Sequence, residues 1–158
     1  MVDIDKLTKE TISKGGLLAV LYFDMSAQSK DGLQQLGAAL VQKILETPGV
    51  VYAMGEIEEP IENEGLFSCP VEVKVLTRSL ASLAKICGNH APFSVELKRP
   101  DEIKLTVDQA HDLLMGISLN NYELKKLILE KVYKGEQLLQ FRKQVQNRME
   151  LSKKVLEG

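Results

Sequence analysis

Cys87 and His90, three positions apart in "ICGNHAP", are the residues whose types and spacing come nearest to a metal site, because thiolate and imidazole both ligate zinc. Cys69 could join them, but no second closely spaced pair follows elsewhere in the chain. Periodicity places both cysteines on the core side of their elements, where free cysteines serve as small apolar groups. A cysteine nucleophile needs an exposed, electropositive setting, and the apolar side of a helix is not one. His111, in "DQAHDLL", lies between Asp108 and Asp112 and is the candidate catalytic residue, a general base oriented by a carboxylate. The plainer reading makes it a boundary residue with incidental neighbours.

The stretch "GEIEEPIENEG" carries Glu56, Glu58, Glu59, Glu62 and Glu64. Carboxylates suit magnesium, calcium or manganese, yet the Asp-rich spacing and central glycine of an EF-hand loop are missing. Pro60, Asn63 and Gly65 are turn formers, so a solvated connection is the expectation. No phosphate-binding loop, dinucleotide fingerprint, H-E-x-x-H or G-x-S-x-G is present. The sequence therefore calls for no cofactor, and it favours a non-enzymatic protein over an enzyme.

These candidates need elements to hold them. With 158 residues, 44% of them apolar, the chain has enough core for one domain and an appended element. No apolar run has the roughly 20 residues a membrane span requires, and "MVDIDKLTKETISK" has mixed charge without a signal peptide's apolar segment, so a cytoplasmic protein is expected. The net charge of −2 hides a gradient: +4 over residues 120–158 against −6 over residues 1–119. A solvated helical face explains the basic part, and intersubunit pairing is the functional alternative.

Apolar residues then mark the elements. "GGLLAVLYFDM" reads as a buried strand, and Leu33, Leu36, Leu40, Val41, Ile44 and Leu45 form one face of a helix ended by Pro48 and Gly49. "VVYAMGEIEEPI" is a strand up to Pro60, and Cys69, Val71, Val73 and Val75 alternate with Glu72 and Lys74 in the next. A short helix follows, capped by Ser79, with Leu80, Leu83, Ala84 and Cys87 inward and Gly88 as its stop. Phe93, Val95 and Leu97 alternate with Ser94, Glu96 and Lys98 in a last strand. Beyond it, Thr106 and Gln109 form a capping box for one helix, and Asn120 or Asn121 caps a second carrying Leu124, Leu127 and Ile128. After Gly135, Leu138, Phe141, Val145, Met149, Ser152 and Leu156 form a narrow seam of near-heptad spacing.

Strand, helix, strand, strand, helix, strand is the order of an α+β, ferredoxin-like βαββαβ sandwich. The expected organisation is such a domain over residues 1–105, with a short N-terminal helical segment, and a C-terminal helical extension over 106–158 packed on it or on a partner subunit. Both parities of the first strand are apolar, Leu17, Ala19, Leu21 and Phe23 on one side and Leu18, Val20 and Tyr22 on the other, so both sides need cover. The outward parity elsewhere is polar, which makes Tyr22, Glu72, Lys74, Glu96 and Lys98 the candidate ligand or interface residues of the open sheet face. Those central strands lack the aromatics of an RNA-binding sheet, and nucleic acid is not an expected partner.

"LVQKILETPGVVYAMGEI" followed by "CPVEVKVLTRSLASLAKI" resembles the layout of ferredoxin-like regulatory modules of the ACT and amino-acid-responsive type, over about residues 17 to 99. That resemblance implies side-by-side pairing of sheets and a small-molecule effector at a subunit interface. The chain departs from it in the long "IEEPIENEG" connection, where a tight glycine turn is expected, and in the C-terminal helices. The combined expectation is an oligomeric ligand-binding or regulatory module. The alternative is a small enzyme with its site between the open sheet face and the C-terminal helices, using His111 with Glu72 or Glu96.

Overall fold

β1 (Leu17–Ala27) buries both of its faces: every residue from Leu17 to Leu21 is buried, and so is Phe23. In the computed structural model, which describes residues 1–158, it is flanked by β4 (Leu66–Thr77) and β5 (Ser94–Arg99). β2 (Val50–Ile57) and the short β3 (Ile61–Asn63) both pair with the other edge of β4. All pairings are antiparallel, giving a mixed α+β arrangement with a five-stranded sheet in the order β2-β4-β1-β5 and β3 beside β4.

Alternation decides what each face meets. Ala19, Leu21 and Phe23 of β1 and Cys69, Val71, Val73 and Val75 of β4 form one core with Leu33 and Ile44 of α2 (Lys30–Leu45) and Leu83 and Ile86 of α3 (Leu80–His90). Ser29 and Ser79 start these helices as expected of N-caps, their hydroxyls accepting the backbone N–H of Gly32 at 3.0 Å and of Ser82 at 3.2 Å. On the other face, Leu18, Val20 and Leu76 are also buried. There α1 (Ile4–Ser13) packs on β1 and β4, and its buried Thr8 hydroxyl lies 3.0 Å from the Tyr52 hydroxyl. This helix is cover that the strand pattern demanded without naming.

Three expectations need correction. Gly88 does not stop α3, which runs on to His90; Ala91 takes the left-handed conformation, at φ 47°, and Pro92 follows. Proline cannot continue a helix and pushes its predecessor out of the helical region, a stronger stop than a glycine that tolerates helix. The last strand is not half-buried: Phe93, Val95 and Leu97 are exposed, because β5 is an edge strand while α2 packs mainly on β1, β2 and β4 and α3 on β4. Finally, residues 107–132 form one helix, α4 (Val107–Val132), and not two. Asn120 and Asn121 lie in its interior, where asparagine costs no more than about 0.7 kcal/mol against alanine and breaks nothing. The capping box that opens α4 is present, with the Thr106 N–H on Gln109 Oε1 at 2.9 Å and the Gln109 N–H on Thr106 Oγ1 at 3.2 Å.

The chain divides into two compact units, Met1–Ile117 and Ser118–Gly158, and the division falls inside α4. The second unit is helical, containing the end of α4 and α5 (Glu136–Glu157). Its one buried residue is Phe141, edge-to-face with Tyr133 at 5.6 Å, and the Arg148 guanidinium sits 3.9 Å over the Tyr122 ring. Of the seam expected in α5, Leu138, Phe141 and Val145 are covered, whereas Met149, Ser152 and Leu156 are exposed. No helix is long and apolar enough to cross a membrane.

Proline at position 121 tests the continuity of α4. Inside one helix, Asn121→Pro costs about 3 kcal/mol and lowers both far-UV helicity and melting temperature. Were residue 121 the first turn of a separate helix, proline would be tolerated there and the melt unchanged.

Candidate functional site

The open face of the sheet carries one hydrogen-bonded polar cluster. Register places Tyr22 opposite Glu72 on β4 and Ser94 on β5, and Val20 opposite Lys74 and Glu96. The β1–β5 ladder slips between Leu18 and Ala19, where Lys98 is the unpaired extra residue of a bulge. Glu96 joins both neighbours: Lys98 Nζ donates to its Oε1 at 2.7 Å, and the Tyr22 hydroxyl donates to its Oε2 at 3.2 Å. Phe93 borders the group, its ring centroid 6.3 Å from that of Tyr22.

The cluster's protonation states follow from these bonds. The Lys98 hydrogen bond holds the Glu96 carboxyl below its ordinary value, and the same bond raises the Lys98 ammonium. Partial burial raises the Tyr22 phenol, helped by the hydrogen bond to Glu96 and the charge of Glu72. Each group is thereby fixed in its neutral-pH state, the phenol as a hydrogen-bond donor and the carboxylate as an anion. That equips the face to hold a polar group by hydrogen bonds; it supplies no base poised near neutrality and no nucleophile. Lys74 stands apart, exposed and without an ion pair.

The other candidates are scattered. His111 is exposed on α4 and is in no ion pair or side-chain hydrogen bond, so the structure does not unite it with Glu72 or Glu96. Cys69 lies in the core and Cys87 is half-buried on α3, and burial raises both thiols, away from the thiolate a nucleophile or ligand needs. His90, at the end of α3, is pushed below the ordinary histidine value by burial and then by Lys43. No three His, Cys, Asp or Glu side chains come together as a metal site.

The acidic stretch resolves into a hairpin. Glu56 ends up in β2 and Glu62 in β3, while Glu64 and Gly65 form its tip with φ of 52° and 81°. Positive φ at both central residues is the two-residue turn that suits twisted strands, so the tight glycine turn is present at the tip of a longer hairpin. All five glutamates are exposed, and Glu59 pairs with Lys30 at 3.5 Å.

One feature of the first unit escaped the sequence reading. A cavity of about 370 Å³ lies among the end of α1, the start of β1, the start of α3 and residues 100–105. Ile12, Leu17, Leu80, Ile103 and Leu105 give it an apolar wall, with Glu102, Lys104 and Asp112 also lining it. Its signal in the sequence was Gly16: a Cβ there would stand 2.6 Å from the Thr77 carbonyl oxygen and 2.7 Å from that of Thr11, so only glycine lets α1 turn this closely into β1.

The MJ0538 family model matches residues 18–149, which takes in the sheet except for Leu17, with α2, α3, α4 and the first part of α5. No curated protein matches the chain, and no solved structure matches it.

Replacing Glu96 by glutamine removes the negative charge that helps raise the Tyr22 phenol and leaves only a neutral amide oxygen as acceptor, so Tyr22 titrates at lower pH in Glu96→Gln. Carbon NMR of the tyrosine rings reads this directly, and an unchanged midpoint would assign the shift to burial and Glu72 without Glu96. Because folding lowers the Glu96 pKa, its contribution to stability is present above its ordinary value of 4.5 and disappears as pH falls through the lowered folded value. The stability difference between parent and Glu96→Gln therefore closes on acidification, as followed by urea denaturation.

Proposed function

The chain belongs to the MJ0538 family, and for it we propose a non-enzymatic role as a self-associating module, with a ferredoxin-like body that takes a small effector and C-terminal helices that carry assembly. The observation behind this reading is α4, whose 26 residues include none that is buried. Leu114, Ile117, Leu119, Leu124, Leu127, Ile128 and Val132 are all exposed on it. Apolar groups on several sides of one helix belong to the interior of an assembly, and patches of this extent are rare on monomers.

The ferredoxin-like assignment draws on connectivity. β1 to β2 through α2 skips β4, and β4 to β5 through α3 skips β1, so the two crossovers interleave. This is also the layout of the ACT-type modules that residues 17 to 99 resemble, and the cavity beside Gly16, with its apolar wall, is a place in the first unit with room for an effector. The enzyme reading has the Tyr22–Glu96–Lys98 cluster in its favour, but that cluster offers binding groups and no activated one.

The test is sedimentation and native mass spectrometry of the full chain at micromolar concentration. The expected state is a dimer or larger, and Leu124→Glu with Ile128→Glu, both exposed in the single chain, gives a folded monomer. A parent chain that is already monomeric contradicts the proposal.

A further inference from the structure

The continuity of α4 joins two apolar stripes that look separate in the sequence. Val107, Ala110, Leu114, Ile117, Asn121, Leu124 and Ile128 follow one another at alternating steps of three and four, three heptads along about 32 Å of helix. Val107, Leu114, Ile117, Leu124 and Ile128 are each more than half exposed. α5 does not cover this seam. In the second unit it packs on one flank of α4, against Tyr122, Lys125, Leu129 and Tyr133, and leaves Asn121, Leu124 and Ile128 exposed.

A 3.5-residue repeat fits a facing helix, whose side chains it meets as knobs in holes. Asn121 identifies which helix. It is the one polar residue in the run and sits where Val107, Leu114 and Ile128 sit in neighbouring heptads, the first core position. An amide carries both donors and acceptors, so in a dry seam another amide at the same level satisfies it, and a second copy in register supplies one. Charge agrees with this choice. The flanking positions are His111, Leu113, Ser118, Asn120, Lys125, Leu127 and Val132, so parallel pairing sets Lys125 against the other copy's Asn120 and Leu127 against Val132, with no like charges opposed.

We infer that two copies of the chain pair through α4, parallel and in register, with Asn121 facing Asn121. This rests on the self-association reading and adds its partner, direction and stoichiometry. Ile128 at the first core position and Leu124 at the second are the choice that favours two strands, whereas Leu114 and Ile117 are the reverse choice that admits four, so Asn121 is the residue that selects the dimer.

The experiment is mild oxidation of full-length Asn121→Cys, with Glu123→Cys on the outer side of the helix as the collision control and peptide mapping to separate new linkages from Cys69 and Cys87. Two cysteines join only when their Cα atoms come within about 7 Å. Most of the Asn121→Cys chain should be recovered as a dimer linked through residue 121, and little of the control. A native dimer without that linkage overturns parallel in-register pairing while leaving self-association intact; a native monomer overturns both. As a second readout, Asn121→Leu should raise the melting temperature and shift the mass from two chains to three or four. An unchanged dimer of unchanged stability removes the selecting role of Asn121.

Discussion

Burial of both faces of β1 is the constraint on which the rest of the first unit depends. A strand apolar on alternate sides cannot sit at an edge or face water, so it takes the centre of the sheet, with β4 and β5 as neighbours. One face then draws in α2 and α3 through Leu33, Ile44, Leu83 and Ile86. The other brings α1 against β1 and β4. With both faces of β1 covered in this way, the apolar residues of α4 are left without a place in the core, and the proposed self-association is what would give them one.

Much of this was legible because periodicity survives tertiary context when a face is buried. Cys69, Val71, Val73 and Val75 alternate, and all four are in the core; Ser79 reads as a cap and Thr106 as a box residue, and both sit at observed helix starts. What failed were signals with two meanings. Gly88 and Asn121 are stop and cap residues that a helix also tolerates, so only the backbone around them decides, and in α3 that decision falls to Pro92. Alternation in Phe93, Val95 and Leu97 describes a strand correctly but says nothing of whether a helix lies over it.

The open-face cluster was legible as composition and not as chemistry. Alternation places Glu96 and Lys98 on the face shared with Tyr22, yet no residue type announces that Glu96 takes both hydrogen bonds or that the ladder bulges at Lys98. The cavity was invisible for a related reason: its walls come from four separated segments, and the one local clue was a glycine whose neighbours are distant in sequence. Cys87 and His90 show the converse, a suggestive spacing that the fold leaves as a helix terminus with no third donor.

The central claim is that α4 is an assembly surface, and amide hydrogen exchange along Val107–Val132 at increasing protein concentration tests it most directly. A helix without buried residues in the single chain opens readily, and association through it must slow that opening. The account predicts protection of this segment that rises with concentration while β1 and β4 stay equally protected throughout. Protection in α4 that is independent of concentration would contradict it.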